Sequence, residues 1–193
     1  MDAAPSHFPD TPLGRRLAPY EIGPPDAEFS FVYRLSRENR WDDEYTGRVI
    51  VEYKRFCYLA MAAQEALGHD VTPSDAVDQA WHLHLTYSRD YWQRFCPEVL
   101  GAEFHHGPTA GGTAERMRYY EQYAATLKFY EETFGAPPPD DIWAHAARRF
   151  GSDPMSYRIN PADVMTFPRK YAWPAFIITF TVIVFALWAG GVH

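Results

Sequence analysis

From residue 171 to residue 192 the chain carries no Asp, Glu, Lys or Arg, and its centre reads Ala175-Phe-Ile-Ile-Thr-Phe-Thr-Val-Ile-Val-Phe-Ala-Leu-Trp188. A helix of about 20 residues, rising 1.5 Å at each, spans the roughly 30 Å hydrocarbon layer of a bilayer. Tyr171 and Trp173 stand at one end of the run and Trp188 at the other, where an interfacial aromatic belt would place them. Arg169 and Lys170 precede the run and no Lys or Arg follows it. The pattern predicts one transmembrane helix over 173–192, opened by Pro174 in its first turn. The lipid bilayer is its partner, and the N-terminal domain faces the cytoplasm.

The rest of the 193 residues is enough for one folded domain. With 47% apolar and 17% aromatic residues in the chain, a packed core is expected rather than disorder. The formal net charge of −7, without a dense Lys/Arg run in the domain, argues against nucleic-acid binding, which needs a basic face for phosphates. Cys57 and Cys96 form no CxxC pair, so reduced thiols are expected. The first residues, Met1 to Asp10, have neither a basic nor an apolar stretch, and no cleavable signal peptide is expected.

Pro5, Pro9, Pro12, Pro19, Pro24 and Pro25 make residues 1–27 a Pro-rich arm, flexible or extended. A helical domain over 28–150 follows. A short helix is expected from about Ala27 to Arg37. A second opens on the acids Asp42-Asp43-Glu44 and stops at Gly68. The run Thr72-Pro73-Ser74-Asp75 starts a third, expected to reach about Phe95. After a Gly-flanked loop, 101–112, Thr113 caps a fourth helix closed by Gly135, and a last short helix occupies about Asp140 to Phe150. Residues 151–172 read as a linker. The fold class is all-α, a helical bundle followed by the one C-terminal transmembrane helix.

Chemistry concentrates on the third helix, in Val77-Asp-Gln-Ala-Trp-His-Leu-His-Leu85. Asp78 and His82 are four apart, so they lie one above the other on one face, where the carboxylate can hold an imidazole. His82 and His84 point in nearly opposite directions on a regular helix, so a single ion cannot easily take both. The stripe Val77, Trp81, His84, Ser88, Tyr91, Phe95 reads as the core side, which makes His84 a buried, hydrogen-bonded histidine and His82 the ligand; the opposite assignment stays open. The loop brings His105 and His106. Such a His/Asp set suits a divalent metal, zinc first. Cys96, nearly five turns along the same helix at about 27 Å, is too far to join.

The order Asp78-x-x-Trp81-His82-x-His84, then Tyr91, then Leu100-Gly101 and His106, resembles the glycine-rich domain-containing protein-like family, over about residues 45–150. The resemblance implies that Asp78, Trp81, His82, His84, Tyr91 and His106 form one site, with His106 rather than His105 its loop histidine. Metal ligands are then expected at Asp78, His82, His84 and His106, with Trp81 and Tyr91 as walls. Three functions follow in order: a membrane-anchored metal-binding module, a structural interaction module without metal, and a metal-dependent hydrolase-like enzyme using Asp78, Glu103 or Tyr91 as base.

Overall fold

The computed structural model describes residues 8–24, 26–107 and 111–151, together with Thr181. All but Thr181 fall in the unit Met1–Pro154. Every regular element among them is helical, as the periodicity predicts: α1 (Pro12–Leu17), α2 (Phe31–Asn39), α3 (Asp43–Ala66), α4 (Asp75–Thr86), the short α5 (Ser88–Asp90), a π-helix π1 (Tyr91–Leu100), α6 (Thr113–Phe134) and α7 (Ala146–Gly151). Among the described residues no helix is long and apolar enough to cross a membrane. All of the expected membrane helix, 173–192, but Thr181, and all of the expected linker, 151–172, but Gly151, lie outside the described residues.

Local chemistry explains the helix starts. Ser30, Asp42 and Ser74 stand in extended backbone, and each side chain accepts from an N–H three residues on, at Tyr33, Tyr45 and Val77 (3.2, 2.7 and 3.3 Å). Three starts differ from the reading above: α2 begins at Phe31 rather than about Ala27, Gly112 and not Thr113 stands before α6, and α7 begins at Ala146 rather than about Asp140.

The long α3 is central and touches α1, α2, α4 and α6. Its inward residues Val49, Tyr53, Phe56, Cys57 and Leu59 are almost wholly buried. A buried ion pair lies on the same helix. Arg55 Nη1 donates to Glu52 Oε1 (2.8 Å) and to the Tyr130 hydroxyl (2.6 Å), while Tyr130 and Trp143 Nε1 both donate to Glu52 Oε2 (2.9 and 3.0 Å). Both charged residues are at most 3% exposed. Burial pushes the Glu52 carboxyl up, against the pull of Arg55 and these donors.

The Pro-rich lead-in is not a free arm from Phe8 onward. It forms α1, capped by Thr11, and sends Leu17, Tyr20 and Ile22 into the core. Asp90 ties it down, accepting from the Tyr20 hydroxyl (2.6 Å), the Gly23 N–H (3.3 Å) and His84 Nε2 (3.0 Å), and pairing with the Arg94 charge (3.1 Å). Gly23 has φ +74°, and a Cβ there would stand 2.8 Å from the Tyr87 ring, so both conformation and space require glycine.

The third helix does not run to Phe95. It ends at Thr86, because Tyr87 takes φ −83°, ψ 50°. In a continuous helix His84 and Asp90 would be about 9 Å apart along the axis and 120° apart around it. The break is what lets them bond. Beyond it the chain winds as a π-helix that contains Pro97 and ends in left-handed Gly101, whose N–H reaches Cys96 O at 2.8 Å. The buried positions Tyr91, Phe95, Cys96, Val99 and Leu100 recur every four to five residues, and Glu98, which a 3.6 period would turn inward, faces water. The wider turn therefore fits the apolar pattern that an α-helix would split.

Candidate metal centre

On α4 the four-residue spacing puts Asp78 and His82 on the outer face, while Val77, Ala80, Trp81 and His84 face inward. The H-x-H pair is thus divided across the helix: the His82 side chain is 49% exposed and that of His84 is 0% exposed.

The loop after π1 is then folded back over α4 by aromatic groups. Phe104 stacks on Trp81, with centroids 4.3 Å apart and planes 9° off parallel, and lies 6.0 Å from Phe56. Trp81 Nε1 donates to the Tyr91 hydroxyl (2.9 Å), which in turn donates to the Phe104 carbonyl. This pins the backbone one residue before the histidine pair. His106 lands edge-on to Trp81 at 4.5 Å, with its ring 4.4 Å from that of His82. Its Nε2 sits 3.0 Å from Asp78 Oδ1, and His82 Nδ1 sits 3.8 Å from Asp78 Oδ2.

Asp78, His82 and His106 offer one ligand atom each within 4.8 Å of one another. Two ligands at about 2.1 Å from a tetrahedral ion lie about 3.4 Å apart. The Asp78–His106 pair already falls inside that spacing. The remaining closure is on the order of 1 Å, within reach of a half-exposed His82 turning about its χ angles. Two imidazoles and one carboxylate form a borderline donor set of the zinc type.

The other expected members fall elsewhere. His84 is not beside the trio: both of its nitrogens are engaged, Nδ1 with the Tyr53 hydroxyl (2.9 Å) and Nε2 with Asp90 (3.0 Å). Burial pushes the Asp90 carboxyl up, but bonds from His84, Tyr20 and Gly23 and the Arg94 charge outweigh it and hold it below the usual range. An ionised Asp90 accepts from Nε2–H, so Nδ1 accepts from the Tyr53 hydroxyl. Burial lowers the pKa of His84 despite Asp90 and keeps the ring neutral. It is the satisfied core histidine that helical direction suggests.

Trp81 and Tyr91 do stand behind the trio. Tyr91 is wholly buried and burial drives its pKa up, so it acts through hydrogen bonds and not as a base. Glu103, 80% exposed, is bonded to the outward-facing His105 (2.9 Å). Cys96 is not among the ligand group; it lies against Tyr91, within the same π-helix, and the Phe104 backbone. Burial raises the pKa of both Cys96 and Cys57, which argues against thiolate chemistry at either.

Sequence reasoning missed Phe104, Tyr53 and Asp90. Phe104 had a visible signal as the one large apolar residue of loop 101–112. The other two depend on partners far along the chain.

The UCP032817-like family matches residues 31–128, half of the chain, so the chain belongs to that family. This corrects the likeness to glycine-rich domain-containing proteins: the D-x-x-W-H-x-H…H order lies within 31–128, but the family matched there is a different one. No curated protein matches, and no solved structure matches.

Proposed function

We propose that this member of the UCP032817-like family is a metal-binding helical domain, tethered to a bilayer by residues 173–192 and facing the cytoplasm. Asp78, His82 and His106 take one divalent ion, zinc by preference. The observation that carries the reading is the convergence of three ligand atoms, from a helix and a loop 28 residues apart, within 4.8 Å. The tether rests on the charge-free run between Lys170 and His193, with its aromatic ends and preceding cations. Among the described residues the group comprises three ligands, the number that leaves a coordination position for water or an external ligand. A metal competes with the proton for His106 Nε2, so loading displaces the bond to Asp78 and releases that proton or moves it to Nδ1.

Metal analysis of the full chain after zinc loading and dialysis tests the reading. About one equivalent is expected in the wild type, and far less in His82→Ala and His106→Ala variants of unchanged helicity. Absence of stoichiometric zinc, cobalt or manganese from a folded wild type would refute it.

A second reading has its own support. The His106–Asp78 bond, with the Trp81–Phe104 stack, closes the loop on α4 without any ion. In that case the trio is a structural clasp, and His106→Ala lowers stability with no metal effect. The hydrolase-like reading ranks third, because Tyr91 is buried and Glu103 is bonded to His105, leaving only Asp78 as a base beside the site.

A further inference from the structure

Only one side of α2 meets the core. Phe31 and Leu35 are buried there, whereas Val32 and Tyr33 on the other side are 43% and 40% exposed. Phe29, just before the Ser30 cap, is 57% exposed, and its ring lies 5.3 Å from that of Tyr33. Three of the six large apolar residues that the described part leaves in water therefore stand together at one helix start. A bare apolar face of this kind marks an interaction surface.

The charges around the face indicate what covers it. Exposed acids, Asp26 and Glu28, lie at its N-terminal end, and exposed cations, Arg37 and Arg40, lie at its C-terminal end. None of the four has an ion pair among the described residues, whereas Arg34 is engaged by Glu38 and by the Tyr87 ring. The helix macrodipole accounts for these signs at the two ends, but not for the bare aromatic face between them. A partner of uniform charge, or an anionic lipid surface, would be attracted at one end and repelled at the other. A second copy of the chain satisfies both ends. When two α2 helices run antiparallel about a two-fold axis, Val32 of one copy faces Tyr33 of the other, and Glu28 comes opposite Arg37. The symmetry makes that pair twice, once at each rim.

We propose that α2 is a self-association face, through which two copies form a two-fold dimer. Phe29, Val32 and Tyr33 make its apolar centre, and Glu28–Arg37 pairs close its two rims. An apolar, aromatic centre inside a charged rim is the usual anatomy of such an interface. The strip from Pro24 to Arg40 is shorter than the roughly 20–30 residues a side of a standard interface, so the dimer is weak and reversible.

Cysteine cross-linking of the purified full chain in mild detergent tests this. The native Cys57 and Cys96 are buried, so the wild type serves as the blank. Val32→Cys, beside the axis, should give a disulfide-linked dimer on oxidation with copper phenanthroline. Met117→Cys, 53% exposed on α6, should give little. In the Val32→Cys background, Glu28→Arg and Arg37→Glu should each lower the dimer yield about threefold or more, with helicity retained, because both rims then hold like charges. Mixing those two variants should restore the yield, since one copy then carries two cations and the other two anions. His82→Ala should leave the yield unchanged, which separates this face from the metal centre. Equal yields from Val32→Cys and Met117→Cys, indifference to both charge reversals, or a mixture that fails to recover would each overturn the proposal.

Discussion

Replacing Arg55 by Met tests whether the buried Glu52–Arg55 pair organises the core. Met keeps the unbranched stem of the side chain and removes the guanidinium with its charge. What remains is the Glu52 carboxylate, 3% exposed, with only the Tyr130 hydroxyl and Trp143 Nε1 as donors. Breaking a buried pair on one side costs about 3–5 kcal/mol, mostly because a charge is left without its counterion. For a unit of this size each kcal/mol lowers Tm by about 2–4 °C, so a fall of about 6–20 °C is expected. The defect carries a pH signature. Burial already raises the Glu52 pKa, and losing the cation raises it further. A carboxyl whose folded pKa exceeds its unfolded value favours the folded state at low pH and costs stability as pH rises through the folded pKa. Urea denaturation of Arg55→Met followed by circular dichroism should therefore show a smaller deficit at pH 5 than at pH 8. Adding Glu52→Gln, which keeps an acceptor for Trp143 and Tyr130, should recover much of the loss and flatten the pH dependence. A single variant within about 1 kcal/mol of wild type, or a deficit constant between the two pH values, would show that the pair does not carry this weight.

Two further outcomes follow from the bonds around the metal centre and its supports. Tyr91→Phe strands both Trp81 Nε1 and the Phe104 carbonyl, so we expect about 1–3 kcal/mol of lost stability by denaturation and, where His106 is a ligand, a 10- to 100-fold weaker zinc affinity by competition with a chelator. Asp90→Asn should cost about 2 kcal/mol at neutral pH. Because the folded Asp90 pKa is lowered, that contribution exists above the unfolded value and vanishes as pH falls through the folded one; wild type and variant should converge in acid, and parallel pH profiles would count against the assignment.

Where information is short-range, the sequence is a sufficient guide. Asp42 and the run ending in Ser74 mark helix starts, because a cap needs only its own side chain and an N–H three residues on. The spacing of Asp78 and His82, and the opposition of His82 to His84, follow from 100° per residue with no knowledge of the fold. The remainder was set by partners far along the chain. Asp90 owes its setting to Tyr20, 70 residues earlier, and the bond it makes to His84 requires the break at Tyr87, a place with neither Gly nor Pro. Glu52 finds Trp143 at a separation of 91 residues, so two charged residues that look like surface groups in the sequence join two aromatic ones in one buried cluster. His106 also needed the fold: its loop could have left it in solvent, as it leaves His105. Only the Phe104–Trp81 stack, with Tyr91 holding the carbonyl behind it, brings that ring onto Asp78. Local rules say which way a side chain leaves its helix, and packing alone decides what it meets there.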